Sequence, residues 1–245
     1  MTRHNAARSP RAWHSSCAIL RALFFILLLT LLPRAAAAQG EGGNPANWCR
    51  NGLFAADSDE FGLARVSGGR GERAYFYGDD EGCPAAKCRQ KAYVLTGDEL
   101  IVSRRFGDWV CAWYQPARGP ETVGWLPASR LELKAADANP PLASWLGAWE
   151  FYDDSLRIKR GRKAGTLGVE GDATWVGVNP GNVHVGEVSG EAAPTGNLLS
   201  LGEDPEDCRV KLRLVGPFLI VNDNKQCGGA NVTFDGVYRR KKGRQ

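Results

Sequence analysis

Seven cysteines, three histidines and two aspartate pairs, Asp79-Asp80 and Asp153-Asp154, are the residues of this 245-residue chain best suited to catalysis or metal binding. A nucleophile needs a neighbouring base. His4 and His14 lie at the extreme N-terminus, which leaves His184 alone in the alternating run Asn182-Val183-His184-Val185-Gly186. A histidine in such a strand is a structural residue, exposed or hydrogen-bonded. No Cys-x-x-Cys pair exists, and with so few histidines a zinc site is not expected. Each aspartate pair stands beside a turn, where Asp bonds the backbone; hydrolysis by two carboxylates would need them facing across a cleft of about 5–10 Å. Asn222-Asp223-Asn224 followed by Cys227-Gly228-Gly229 offers oxygen ligands but lacks the closing Glu of a calcium loop, so it reads as a turn with a glycine bend. Asn231-Val232-Thr233 matches the glycosylation pattern within a run that reads as strand. These readings imply a non-enzymatic protein that needs no cofactor and no metal.

The cysteines instead point to disulfides. Six follow residue 38: Cys49, Cys83, Cys88, Cys111, Cys208 and Cys227. Six allow 15 pairings; the assignment expected here is Cys208 with Cys227, Cys83 with Cys88, and Cys49 with Cys111. Such bonds require an oxidising compartment, and the N-terminus supplies a route to one. Arg3, Arg8, Arg11 and Arg21 precede an apolar run of 11 residues, 22–32. That run is shorter than the roughly 20 residues of a membrane-spanning helix. Pro33 ends it, and Ala36-Ala37-Ala38 before Gln39 is a cleavage pattern for signal peptidase. Residues 1–38 therefore read as a signal peptide, and the mature protein as periplasmic or secreted without a stable membrane anchor. The formal charge of +4 owes its excess to this segment, whose five arginines leave with it and whose removal leaves 26 basic against 27 acidic residues. Nucleic acid is accordingly not an expected partner. Only the terminal run Arg239-Arg240-Lys241-Lys242-Gly243-Arg244 is a basic cluster, and it reads as a solvated end.

Short apolar runs punctuated by Gly, Asp and Asn, without a long amphipathic helix, argue for an all-β fold. Breaks at residues 39–48 and 134–141, the latter ending in Pro140-Pro141, divide the mature chain into modules at 49–133 and 142–241, with a basic tail at 242–245. Because the 134–141 connector carries no large apolar residue, the modules are expected to fold independently.

In the first module Gly97-Asp98 and Gly107-Asp108 are turn pairs between β-rich runs, and Leu100 and Val102 alternate with exposed positions, as do Val110, Ala112 and Tyr114. Gly97-Asp98 before an apolar strand, Gly107-Asp108-Trp109-Val110 and Gly124-Trp125-Leu126, in that order, resemble the bacterial SH3-like (SH3b) domains. The resemblance covers residues 60–133. It implies a small barrel of five to seven strands that binds cell-wall peptides or protein partners. In place of the usual Asn-x-Arg-x-Gly-Pro opening stand residues 73–80 and the loop from Cys83 to Cys88.

The second module contains nine candidate strands: 147–153, 156–160, 165–170, 173–178, 183–190, 197–201, 208–215, 217–222 and 231–239. Their number suits a closed antiparallel barrel. Leu146-Gly147-Ala148-Trp149 resembles the Gly-x-Trp opening of the lipocalin-like (calycin) barrels, a resemblance that implies an arginine near the last strand, Arg239 or Arg240, covering that tryptophan.

Trp109, Trp125, Trp149 and Trp175 read as core fillers. Alternation places other aromatic residues outside, and Tyr75, Tyr77 and Trp113 are the expected ligand contacts, more exposed than Trp109 and Trp125. The function this implies is binding at the cell envelope, to a cell-wall peptide or an envelope protein. The alternative is inhibition of a secreted hydrolase such as a lysozyme or protease.

Overall fold

A computed structural model describes residues 45–56, 60–179 and 181–241. The expected signal peptide, the first six residues of the expected leader and the expected tail at 242–245 lie outside the described residues. The chain is all-β. β1 (Gly62–Val66), β2 (Arg73–Tyr77), β3 (Arg89–Leu95), β4 (Glu99–Phe106), β5 (Trp109–Tyr114), β6 (Thr122–Pro127) and β7 (Leu131–Ala135) form one antiparallel sheet in the order β3-β2-β6-β5-β4-β1-β7. Both expected turns are present. Gly97 and Gly107 take φ of +96° and +54°, a region open to glycine, and the Asp98 carboxylate accepts a hydrogen bond from the Leu95 N–H at 2.8 Å. Every strand contributes to one apolar cluster, including Val66, Phe76, Val94, Leu100, Val110, Leu126 and Leu131. The sheet curls around that cluster.

The second sheet contains β8 (Gly147–Phe151), β9 (Asp154–Arg160), β10 (Leu167–Val176), β11 (Val183–Ala192), β12 (Leu198–Leu201), β13 (Val210–Val215), β14 (Phe218–Asp223) and β15 (Gly236–Arg240). Its order, β11-β10-β9-β8-β15-β14-β13-β12, is a meander closed by pairing of its last strand with its first, Arg240 opposite Trp149. Alternation is clearest on β13, where Val210, Leu212 and Leu214 are buried and Arg209 and Lys211 exposed.

Among the described residues the second sheet has eight strands, from nine candidate segments in the sequence. Residues 165–170 and 173–178 belong to one strand, because Gly171-Asp172 is no turn: Gly171 lets β10 pass against β9, and a Cβ there would lie 2.3 Å from Leu156 Cδ2. The expected strand 231–239 is ordered as strand only from Gly236, since Asp223 draws the preceding residues aside by accepting hydrogen bonds from the Phe234 N–H (2.7 Å) and the Thr233 hydroxyl (3.3 Å). The sequon residue Asn231 accordingly lies in an exposed turn and not in a strand.

The barrel's remaining gap, between β11 and β12, is bridged in part by the segment after Cys227. Gly229 N–H donates to the Val185 carbonyl and Glu187 N–H to the Cys227 carbonyl, both at 3.1 Å. Facing glycines permit this approach, since a Cβ on Gly186 would stand 2.4 Å from the Cys227 carbonyl oxygen. Gly186→Ala should force the segment away and lower stability by about 1–3 kcal/mol, measured as the shift of a urea unfolding midpoint; an unchanged midpoint would show that the bridge does not close the barrel.

The disulfides join Cys49 to Cys111, Cys83 to Cys88 and Cys208 to Cys227, the pairing expected from the sequence. The sheets divide at the 134–141 connector, and the second has its own core around Trp149, Leu212, Phe234 and Tyr238. A third core belongs to both. Ile101, Cys111, Trp113, Val123 and Trp125, on the outward face of the first sheet, pack with Val215, Ile220 and Val237 of the second and with Cys49, Phe54 and Ala55 of the N-terminal segment. That segment is pinned by the Cys49–Cys111 bond, by Arg50 on Asp79 at 2.7 Å, and by Arg104, which donates to the Trp48 and Ala56 carbonyls. The connector is polar, but the sheet faces it joins are not, and the two modules share this core.

Candidate functional site

The three aromatic residues expected to bind ligand part company in the structure. Trp113 is buried, 2 % exposed, which corrects its placement as a ligand contact. It does point out of its own sheet, as alternation requires, but that outer face is the shared core. Its ring packs edge-on against Phe218 at 5.5 Å, and its indole N–H donates to Glu121 at 2.6 Å. The expected order of exposure is likewise reversed for Trp109, which is half-buried, whereas Trp125 is fully buried as expected. Tyr77 is half-buried against Trp109, ring centroids 4.6 Å apart, and packs on the shared core.

Tyr75 is partly exposed at the centre of a different surface. On β2, Ala74 and Phe76 turn into the sheet's core while Arg73, Tyr75 and Tyr77 turn out. β3 answers with Arg89, Lys91, Tyr93 and Leu95, of which the last two are about 40 % exposed. The register sets Tyr75 opposite Tyr93, and their rings meet edge to face at 5.8 Å. A guanidinium caps each ring, Arg73 over Tyr93 at 4.3 Å and Arg89 over Tyr75 at 4.7 Å. Cation, ring, ring and cation thus form one row on a twisted hairpin whose next loop is tied by the Cys83–Cys88 bond. Among the described residues neither arginine has a carboxylate within ion-pairing distance, whereas Arg50, Arg130 and Lys159 do. Arg73, Arg89 and Tyr93 were not expected as site residues. Their signal was the period-two spacing Arg73/Tyr75 and Arg89/Lys91/Tyr93; that the two sets adjoin depends on the register.

A small cleft lies between the sheets, lined by Phe54, Trp113, Glu121, Phe151 and Asp235 among others. Burial pushes the Glu121 carboxyl above its ordinary value, against the opposing pull of the Trp113 N–H and of Arg239. Burial also raises Asp235, which accepts from Asn222 and the Asp223 N–H and pairs with Lys225. Both acids are engaged in holding neighbouring chain in place. His184 donates to the Ala230 carbonyl and stacks on Trp175, which is half-buried.

The β10–β11 hairpin carries a second unusual surface. Residues 173–186 contain no Asp, Glu, Lys or Arg, and Val176, Val178, Val183 and Val185 are all exposed. Charge resumes where Asp172 faces Glu187 across the ladder.

Arg240 lies over the Trp149 ring at 4.4 Å and donates to the Ser144 carbonyl at 2.7 Å. Its neighbour Arg239 faces the other way, reaching Gln115 of the first half at 2.9 Å with Trp113 and Phe218 beside it. No family model, curated protein or solved structure matches this chain.

Proposed function

We propose that this is an exported, non-enzymatic binding protein of the cell envelope, with an SH3-like first module carrying the ligand surface and a calycin-like second module. The observation that carries this reading is the Tyr75–Tyr93 pair on β2 and β3, partly exposed at Tyr75 and exposed at Tyr93, a prearranged aromatic surface on a disulfide-stapled sheet. Aromatic surfaces of this kind engage extended ligands at little ordering cost. The seven strands and the two Gly-Asp turns support the first resemblance; Arg240 stacked on Trp149 in an almost closed eight-stranded meander supports the second. Three disulfides support an oxidising, periplasmic or secreted location.

The expected ligand is a cell-wall peptide or an envelope protein. The protein should pellet with insoluble peptidoglycan, and Tyr75→Ala should weaken retention about tenfold (about 1.4 kcal/mol) while the melting temperature moves little. Equal retention of the variant would remove this surface from consideration.

One observation favours a second reading, inhibition of a secreted hydrolase. The uncharged β10–β11 hairpin presents four exposed valines, the kind of apolar patch that marks a contact with another protein. Titration against secreted lysozymes and proteases would give a tight one-to-one complex under that reading and no complex under the first.

A further inference from the structure

We propose that the ligand of the β2–β3 surface is an acidic polysaccharide, its carboxylates taken by Arg73 and Arg89 and its apolar ring surfaces packed along the edges that Tyr75 and Tyr93 leave uncovered. This rests on the reading of that surface as the binding site and puts an acidic glycan in the place of the peptide or protein expected there. A guanidinium lying on an aromatic ring keeps its N–H fork free at the edge, in a plane set by the ring beneath it. Both arginines lie over rings of this surface, at 4.3 and 4.7 Å from the ring centroids, and Arg73 is held further by a hydrogen bond to Tyr75. Much of the cost of ordering them is met before any ligand arrives.

Their charge is also unspent. Arg73 and Arg89 pair with no carboxylate among the described residues, and exposed Lys91 adds a third positive charge to the same face. Such a fork matches a carboxylate bidentately. The row of cation, ring, ring and cation asks for a ligand of the same rhythm, charge flanking flat surfaces of low polarity. Sugar rings bearing carboxylates meet both requirements. A chain of phosphates has the charge without the flat faces, and a neutral glycan has the faces without the charge.

The test is affinity electrophoresis of the full protein through gels containing polygalacturonate, polyphosphate or neutral dextran, at low and high salt. The expected result is retardation by polygalacturonate alone, weakened by salt. The double variant Arg73→Lys/Arg89→Lys keeps the net charge but loses both guanidinium forks. It should bind polygalacturonate at least about tenfold more weakly with an unchanged melting curve, since both side chains are exposed. Equal or stronger retardation by polyphosphate, wild-type binding by the lysine variant, or no retardation by polygalacturonate would each overturn the assignment. Pelleting with peptidoglycan that still depends on Tyr75 would in those cases leave the envelope-binding reading standing; loss of both would remove the two together.

Discussion

Halves of the chain separated at Asn139 are expected to melt far below the intact protein and to bind one another when mixed. Each sheet has its own core, around Phe76 and Leu126 in the first and around Trp149 and Phe234 in the second, so each half should retain a β-type circular dichroism spectrum. Separation nevertheless strips cover from Ile101, Trp113 and Val123 on one side and from Val215, Ile220 and Val237 on the other, all now at most 6 % exposed. Exposing three buried aliphatic side chains on the second half alone costs on the order of 5 kcal/mol, a large part of the stability of a domain of that size. A change of that size moves the melting temperature by more than about 10 °C. Mixing the halves should restore the cover, seen as a one-to-one complex in sedimentation and a recovered melting curve. Halves that melt at the parent temperature and ignore each other would show that the shared core adds nothing to stability.

Trp113→Ala is expected to lower stability by about 3–5 kcal/mol without affecting ligand retention. Trp113 lies where the two sheets meet. Removing its ring leaves a cavity against Phe218, takes the indole donor from Glu121, and strips one aromatic neighbour from Arg239. The Glu121 carboxyl, already raised by burial, would lose a partner that favours its charged form and should rise further. Trp113→Phe keeps most of the packing and loses the donor, so it should fall between wild type and the alanine variant. Urea unfolding followed by circular dichroism measures the effect. A destabilisation below about 1 kcal/mol, with ligand retention reduced, would return Trp113 to the role that alternation alone suggested.

Much of this fold was local and therefore legible in the residue order. Gly97-Asp98 and Gly107-Asp108 mark turns because glycine tolerates positive φ and Asp98 bonds the backbone beside it; the alternation of β13 marks its buried face. The all-β class and the division into two sheets at residues 134–141 follow from such local cues; the cysteine count implies three bridges, and which cysteines meet is decided by the fold. Gly171 shows where local cues mislead: a glycine beside an aspartate looks like a turn whether the chain bends there or passes close to Leu156. Tyr75 could be placed on an outward face from its spacing, but its pairing with Tyr93 required the register of β2 on β3. Arg239 and Arg240 are adjacent and chemically alike, yet one covers Trp149 of its own sheet and the other lies beside Trp113 of the first. Alternation in sequence tells which side chains leave a sheet on opposite faces. Whether the outer face meets water, as at Tyr75, or a second sheet, as at Trp113, depends on contacts between residues a hundred positions apart, and those only the tertiary structure decides.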